Sequence, residues 1–281
     1  MTTSPLANEP KRPLPRYLLL FIVLGTVLVM AFYAVTNNNY LASDHALNGA
    51  DWLGYAVCHR LTERSFTING RQLPLCARCT GMYLGAALTL IFLWLAGRSH
   101  HTALPPLPIL LILLAFIAIM GIDGINSYSH FFPNAHHLYQ PRNWLRLLTG
   151  MGTGLAMGSI ILPALAQTVW REQDFQPSLT NGRELMGLVM IGGTAVLLAL
   201  SNQSLILYVL AIISTAGLLA IVTALNTVMV LVIIRRESLA QNWQQASLSL
   251  IMGLILALVE LSAISYLRFS LTGTMVGFPG L

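Results

Sequence analysis

From Leu205 to Ile234 the chain carries no charged side chain, and a helix apolar on every face can be buried only in lipid or deep inside a much larger protein. Further apolar stretches lie at about residues 17–35, 79–97, 104–122, 144–169, 185–200 and 248–267. These approach or exceed the ~20 residues that cross a ~30 Å hydrocarbon core. They are continuously apolar, whereas the strands of a membrane barrel alternate, and backbone groups in lipid must bond within their own segment. The sequence therefore predicts an all-α fold, a polytopic integral membrane bundle of about seven transmembrane helices. Only 9% of residues are charged, against about 25% in soluble domains. The bilayer is thus the first partner. The net charge of +5 reports orientation and headgroup contact and implies no nucleic acid.

The expected organisation is a disordered, proline-bearing cytoplasmic tail over residues 1–16, a single transmembrane domain over 17–270 and a short tail over 271–281. Lys11, Arg12 and Arg16 precede the first apolar run. That run is longer than the 7–15 residues of a signal-peptide core, so a retained anchor with its N-terminus in the cytoplasm is expected. Counting crossings then puts Arg98, Arg171, Arg183, Arg235 and Arg236 on the cytoplasmic side of the cell membrane, at helix ends where the positive-inside rule expects them. The polar segment 36–78 falls outside the cytoplasm. The run from Leu205 is long enough to require tilt.

That polar segment holds all three cysteines. They stand as Cys58-His59-Arg60-Leu61-Thr62-Glu63-Arg64-Ser65-Phe66 and, further on, Gly70 and Pro74-Leu75-Cys76-Ala77-Arg78-Cys79-Thr80-Gly81. Thiolate and imidazole are the ligands zinc prefers, and C-x2-C is the usual half of a tetrahedral site. Cys58, Cys76 and Cys79 are therefore candidate ligands of a zinc cofactor. The fourth position is open to His59, to a loop histidine among His130, His136 and His137, to Asp123, or to water. Water would make the site catalytic and a fourth protein ligand would make it structural. Cys76 and Cys79 also sit where a span begins, and a helix N-terminus favours thiolate, so thiol exchange is a competing reading.

The pattern C-H-R-x-x-E-R-S-F followed by G-x-x-x-P-L-C-A-R-C-T-G resembles the signature of a family of predicted bacterial and archaeal membrane proteins, domain of unknown function 2085. Asp123-Gly124, Asn143, Arg146, Thr149 and Gly150 match its second part, so the resemblance spans roughly residues 55–160. It implies a membrane location and no particular activity.

By crossing count the cysteine loop and the region from Asp123 to Arg146 emerge on one face. Gly81 and Gly85, and Gly150, Gly154 and Gly158, have the small-xxx-small spacing that lets helix backbones approach, which predicts that the two spans carrying them are neighbours. Asp123 and Asn126 are three residues apart, as are Asn143 and Arg146. This spacing puts each pair on one helical face. Asp123, Asn143 and Arg146 are candidate catalytic residues, and Arg60, Glu63, Arg64, Arg78 and Asn126 candidates for binding substrate. Guanidinium is the bidentate partner of phosphate and carboxylate, so an anionic or lipid-linked substrate is expected. Capping and snorkelling at the membrane surface would account for the same residues without any ligand. Glu260 and Asn226 lie inside spans, where a structural polar contact is expected. His100-His101 is expected at the cytoplasmic surface.

No phosphate-binding glycine loop, nucleophile elbow, H-E-x-x-H or dinucleotide pattern occurs. Three functions stay open: a metal-dependent hydrolase or transferase, a quinone-linked thiol-disulfide oxidoreductase, and a transporter or partner-binding subunit with a structural zinc. The topology has a direct check. In sealed vesicles a cysteine introduced at Ser99 should resist an impermeant thiol reagent from outside while one in the Cys58 loop, for example at Asn48, reacts; labelling of Ser99 from outside would invert the orientation.

Overall fold

The computed structural model describes residues 45–130, 132 and 138–275. The tail 1–16, the expected first span 17–35, and His136 and His137 lie outside the described residues. Helix α1 (His45–Val57) leads into a 3-10 turn at Thr62–Arg64 and a hairpin of β1 (Thr67–Ile68) and β2 (Arg71–Gln72). Then come α2 (Ala77–Leu95), β3 (His101–Ala103), α3 (Leu107–Ser129), α4 (Asn143–Val169), β4 (Asp174–Pro177), α5 (Gly182–Leu200), α6 (Ser204–Ile233) and α7 (Trp243–Thr272). Among the described residues six helices, α2 to α7, are long and apolar enough to cross a membrane. The helical membrane bundle read from the sequence is the fold observed. The largest boundary shift is at the end of α3, which runs on to Ser129, so that Asp123 and Asn126 lie within its last two turns.

Helices α2 and α4 form the centre, and glycine sets their separation. A Cβ added at Gly81 would fall on the Leu147 carbonyl oxygen, at Gly150 on the Arg78 carbonyl oxygen, and at Gly154 on the Met82 carbonyl oxygen. Backbones this close gain dispersion contact, which is what drives helix association where lipid removes the hydrophobic force. Gly217 brings α6 equally close to the Tyr83 carbonyl. Around this centre Leu84, Leu147 and Met151 pack with Ala195, Ala199, Leu207 and Ala211 of α5 and α6. Helices α3 and α7 lie outermost, with little of their apolar surface covered. Between α6 and α7, buried Asn226 donates to the Glu260 carboxylate at 3.1 Å.

Each end of the bundle is tied by its loops. At one end β3 and β4 pair in parallel, Arg98 makes a forked bond to Glu184 at 2.7 and 2.6 Å, and His100 stacks on Trp170 with ring centroids 4.1 Å apart. Glu184 also completes the cap of α5, receiving the Thr180 N–H while its own N–H bonds Asn181. The other end carries α1, the hairpin, the α3–α4 connection and the C-terminus of α7. Asn48 is buried there and bonded to Arg71, so exposed Thr67 is the better reporter of that end in a labelling experiment.

The glycine contact predicts a graded response to bulk. Gly154→Leu should cost about 1–3 kcal/mol or more, because the obstacle is backbone that cannot rotate away, whereas Gly187→Leu, with nothing within 4 Å of its Cβ position, should be near neutral. Thermal melting of the purified protein decides it, and equal melting temperatures would refute the packing argument.

Candidate metal and anion site

The site is built at the end of the bundle where α1, the hairpin and α2 meet. Asn69 (φ 50°) and Gly70 (φ 82°) form the two-residue turn between β1 and β2. Positive φ at both central positions matches the twist of paired strands, which is why Asn-Gly serves here. The hairpin returns the chain to α1, and at Gly54 an added Cβ would fall on the Pro74 carbonyl oxygen. Cys58, just past the end of α1, thereby meets Cys76 at the start of α2.

The Cys58, Cys76 and Cys79 sulfurs all lie within 4.8 Å of one another, a group among the described residues that could hold a metal ion. All three thiols are free of disulfides. Cys58 is 1% exposed, while Cys76 and Cys79 are half-buried. Leu53, Leu75, Tyr83, Leu218 and Leu261 form an apolar floor beneath them. The Cys76 N–H donates to the Cys58 sulfur at 3.1 Å. Hydrogen bonds from its two neighbouring thiols, with Arg78 adding charge, hold Cys76 well below the usual thiol range. Cys58, which shares its proton with Cys76 and is buried, is pushed up to about 12. Three sulfurs at this separation can close on a metal ion.

Arg78 lies between Cys76 and Cys79 in sequence and reaches away from the sulfurs to α3. Its guanidinium pairs with the Asp123 carboxylate, also through Nε at 3.2 Å, and donates to Ser127 Oγ at 3.1 Å. Two more arginines converge on the same residue. Arg146 Nε donates to Ser127 Oγ at 3.3 Å and Arg64 to the Ser127 carbonyl at 3.2 Å. Burial lowers the pKa of Arg64, and the Arg78 guanidinium lowers it further. Asp123, 1% exposed, also accepts from the Tyr139 hydroxyl at 2.8 Å. Burial and that bond push the Tyr139 phenol up to about 12.

The remaining candidates fall around this group. Asn143 Oδ1 accepts from Arg146 at 2.9 Å, and Asn143 Nδ2 donates to the Glu63 carbonyl at 3.1 Å. Glu63 itself is exposed. Asn126 holds the α3–α4 connection, donating to the Tyr139 carbonyl and accepting from the Leu138 N–H at 2.9 and 2.8 Å. Arg60 faces the other way, its guanidinium 2.9 Å from Asp51. His59 is exposed and outside the sulfur cluster, and the His130 ring contacts the Asn126 carbonyl at 2.8 Å. The structure thus joins Arg64, Arg78, Asp123, Asn143 and Arg146 beside the cysteines, and it sets Arg60 and His59 apart. Sequence reasoning missed Ser127 and Tyr139. Ser127 had a signal, since it lies one turn after Asp123 on the same face of α3; Tyr139 had none.

The chain is 46% identical over 39 residues to an uncharacterized protein of Methanothermobacter thermautotrophicus, a match covering 14% of this chain and 35% of that protein. The chain thus spans about a third of that relative's length. No solved structure matches. Residues 58–160, which hold the three cysteines and every arginine of the cluster, match the family described as predicted membrane protein, DUF2085, so the resemblance read from the cysteine motif stands.

Proposed function

We propose that the protein is a membrane-embedded, zinc-dependent hydrolase or transferase acting on an anionic, lipid-linked substrate at the extracytoplasmic face of the cell membrane. One observation carries the reading: three sulfurs gather within 4.8 Å beside a group of three arginines, joined to them by Arg78, which pairs with Asp123. Sulfur ligands and a three-residue set suit zinc with its fourth position left for water or substrate. A zinc ion there would supply Lewis-acid polarisation of a substrate oxygen or of water.

The side chains divide the remaining work. Arg78 and Arg146 present guanidinium N–H groups to an anionic group, and Arg64 adds a third charge on the same side. Asp123 fixes Arg78, and Asn143 fixes Arg146. Preorganised donors of this kind stabilise charge that develops on a transferring group because they need no reorganisation as it forms.

Thiol-disulfide exchange is the second reading, and the lowered pKa of half-buried Cys76 beside the Cys58 sulfur favours it. Metal analysis separates the two. About one zinc per chain, lost in Cys76→Ser or Cys79→Ser, is expected for a three-thiolate site; metal-free protein isolated under non-reducing conditions with a Cys58–Cys76 or Cys76–Cys79 disulfide would replace the proposal with the redox reading. The arginines have their own assay. At constant ionic strength phosphatidic acid should raise the melting temperature of the solubilised protein, and Arg146→Gln should lose most of that shift, since a bond to a charged group is worth about 1.5–3 kcal/mol. Equal shifts in both proteins would remove the arginines from the reading.

A further inference from the structure

Cys58 follows α1 immediately, at a helix end whose last carbonyls have no partner within the helix. Arg268, from the last turns of α7, supplies it. Its Nη1 donates to the Tyr55 and Cys58 carbonyls, both at 2.6 Å, and its Nη2 to the His59 carbonyl at 3.3 Å. The guanidinium also lies over the Tyr55 ring, 4.0 Å from its centroid. A cation at a helix C-terminus is favoured by the helix dipole as well as by these bonds.

The same stretch of α7 grips α1 at further points. Ser265 Oγ donates to the Trp52 carbonyl at 2.6 Å, and the Tyr55 hydroxyl lies 2.7 Å from both Thr272 Oγ1 and the Thr274 carbonyl. Arg60 holds the same turn through α1. Its φ of 51° is a left-handed conformation that costs a side chain-bearing residue free energy. The ion pair of Arg60 with buried Asp51, which also holds Arg71 at 2.6 Å, keeps the turn in that state. Two guanidinium anchors thus fix the backbone around Cys58, and its sulfur accepts the Cys76 N–H at 3.1 Å.

We propose that Arg268 is a positioning residue for the metal centre: it holds Cys58 against Cys76 and Cys79 and makes α7, outside the matched residues 58–160, part of that centre. The inference rests on the metal reading above. Groups that orient a ligand typically change metal affinity by about 10–100-fold when removed. Linkage makes the effect reciprocal, so a bound metal tightens the docking of α7 on α1.

Two readouts test it. In the first, cobalt(II) is titrated into metal-stripped protein and followed by its sulfur-to-cobalt charge-transfer absorption. Arg268→Gln should weaken binding by about 10–100-fold, and Arg268→Lys, which retains the charge and loses the fork, by less. The second needs no metal: in a Cys79→Ser background dibromobimane, which fluoresces once both its arms have reacted with neighbouring thiols, should join Cys58 to Cys76 in the protein with Arg268 intact and do so several-fold less in Arg268→Gln. Failure of the starting protein to take up cobalt would overturn the metal reading, and the crosslink would still decide whether Arg268 places Cys58. Unchanged affinity and unchanged crosslinking would overturn the inference. Should Arg268→Gln not fold, Arg268→Lys decides alone, with weakened binding or crosslinking supporting the assignment and unchanged values refuting it.

Discussion

The contact between the backbones of α2 and α4 is the constraint on which the functional end of this protein depends. Carbonyl oxygens of one helix occupy the space that side chains would take on the other, at Gly81, Gly150 and Gly154. Arg78 belongs to this seam twice. Its carbonyl lies against Gly150, and its side chain leaves the seam to pair with Asp123 on α3. A wider separation would carry Arg78 away from Arg146 and the cysteines away from the arginine group. The register of two membrane helices is in this way converted into the geometry of a polar site.

Charge explains why that site has the form it does. Guanidinium groups at the edge of a bilayer are costly unless they are solvated, paired or bonded. Asp51 answers two of them, Arg60 and Arg71. Three others, Arg64, Arg78 and Arg146, gather around Ser127, with Asp123 the carboxylate bonded to Arg78 among them. Arg60 and Arg64 are four residues apart, yet the left-handed turn at Arg60 sends one towards α1 and the other towards α3.

The cysteines depend on elements from the C-terminal part of the sequence. Leu218 of α6 and Leu261 of α7 line the floor beneath them, and Arg268 bonds the carbonyls around Cys58. The match to a known family ends at residue 160, whereas the physical unit that supports the cysteines continues to the end of α7. Apolar spans with little individuality in composition act here as the mould for a polar centre.

Continuous apolar runs by themselves determined that this chain is a helical membrane bundle, because lipid offers backbone groups no partner and only their own helix can satisfy them. The glycine spacing indicated which two spans touch, and the clustering of cysteine and arginine indicated where chemistry would lie. Those signals are local, and a periodicity of three or four residues is enough to read them. Which arginine meets which acid was not legible, since Arg60 and Arg78 look alike in sequence and are separated by a positive φ and by the direction of a helix face. Nor was the role of Arg268, which sits 210 residues from the Cys58 carbonyl it bonds. Only the tertiary structure decided these, because a hydrogen bond depends on distance and direction in space, and packing α7 against α1 is what brings the two into range.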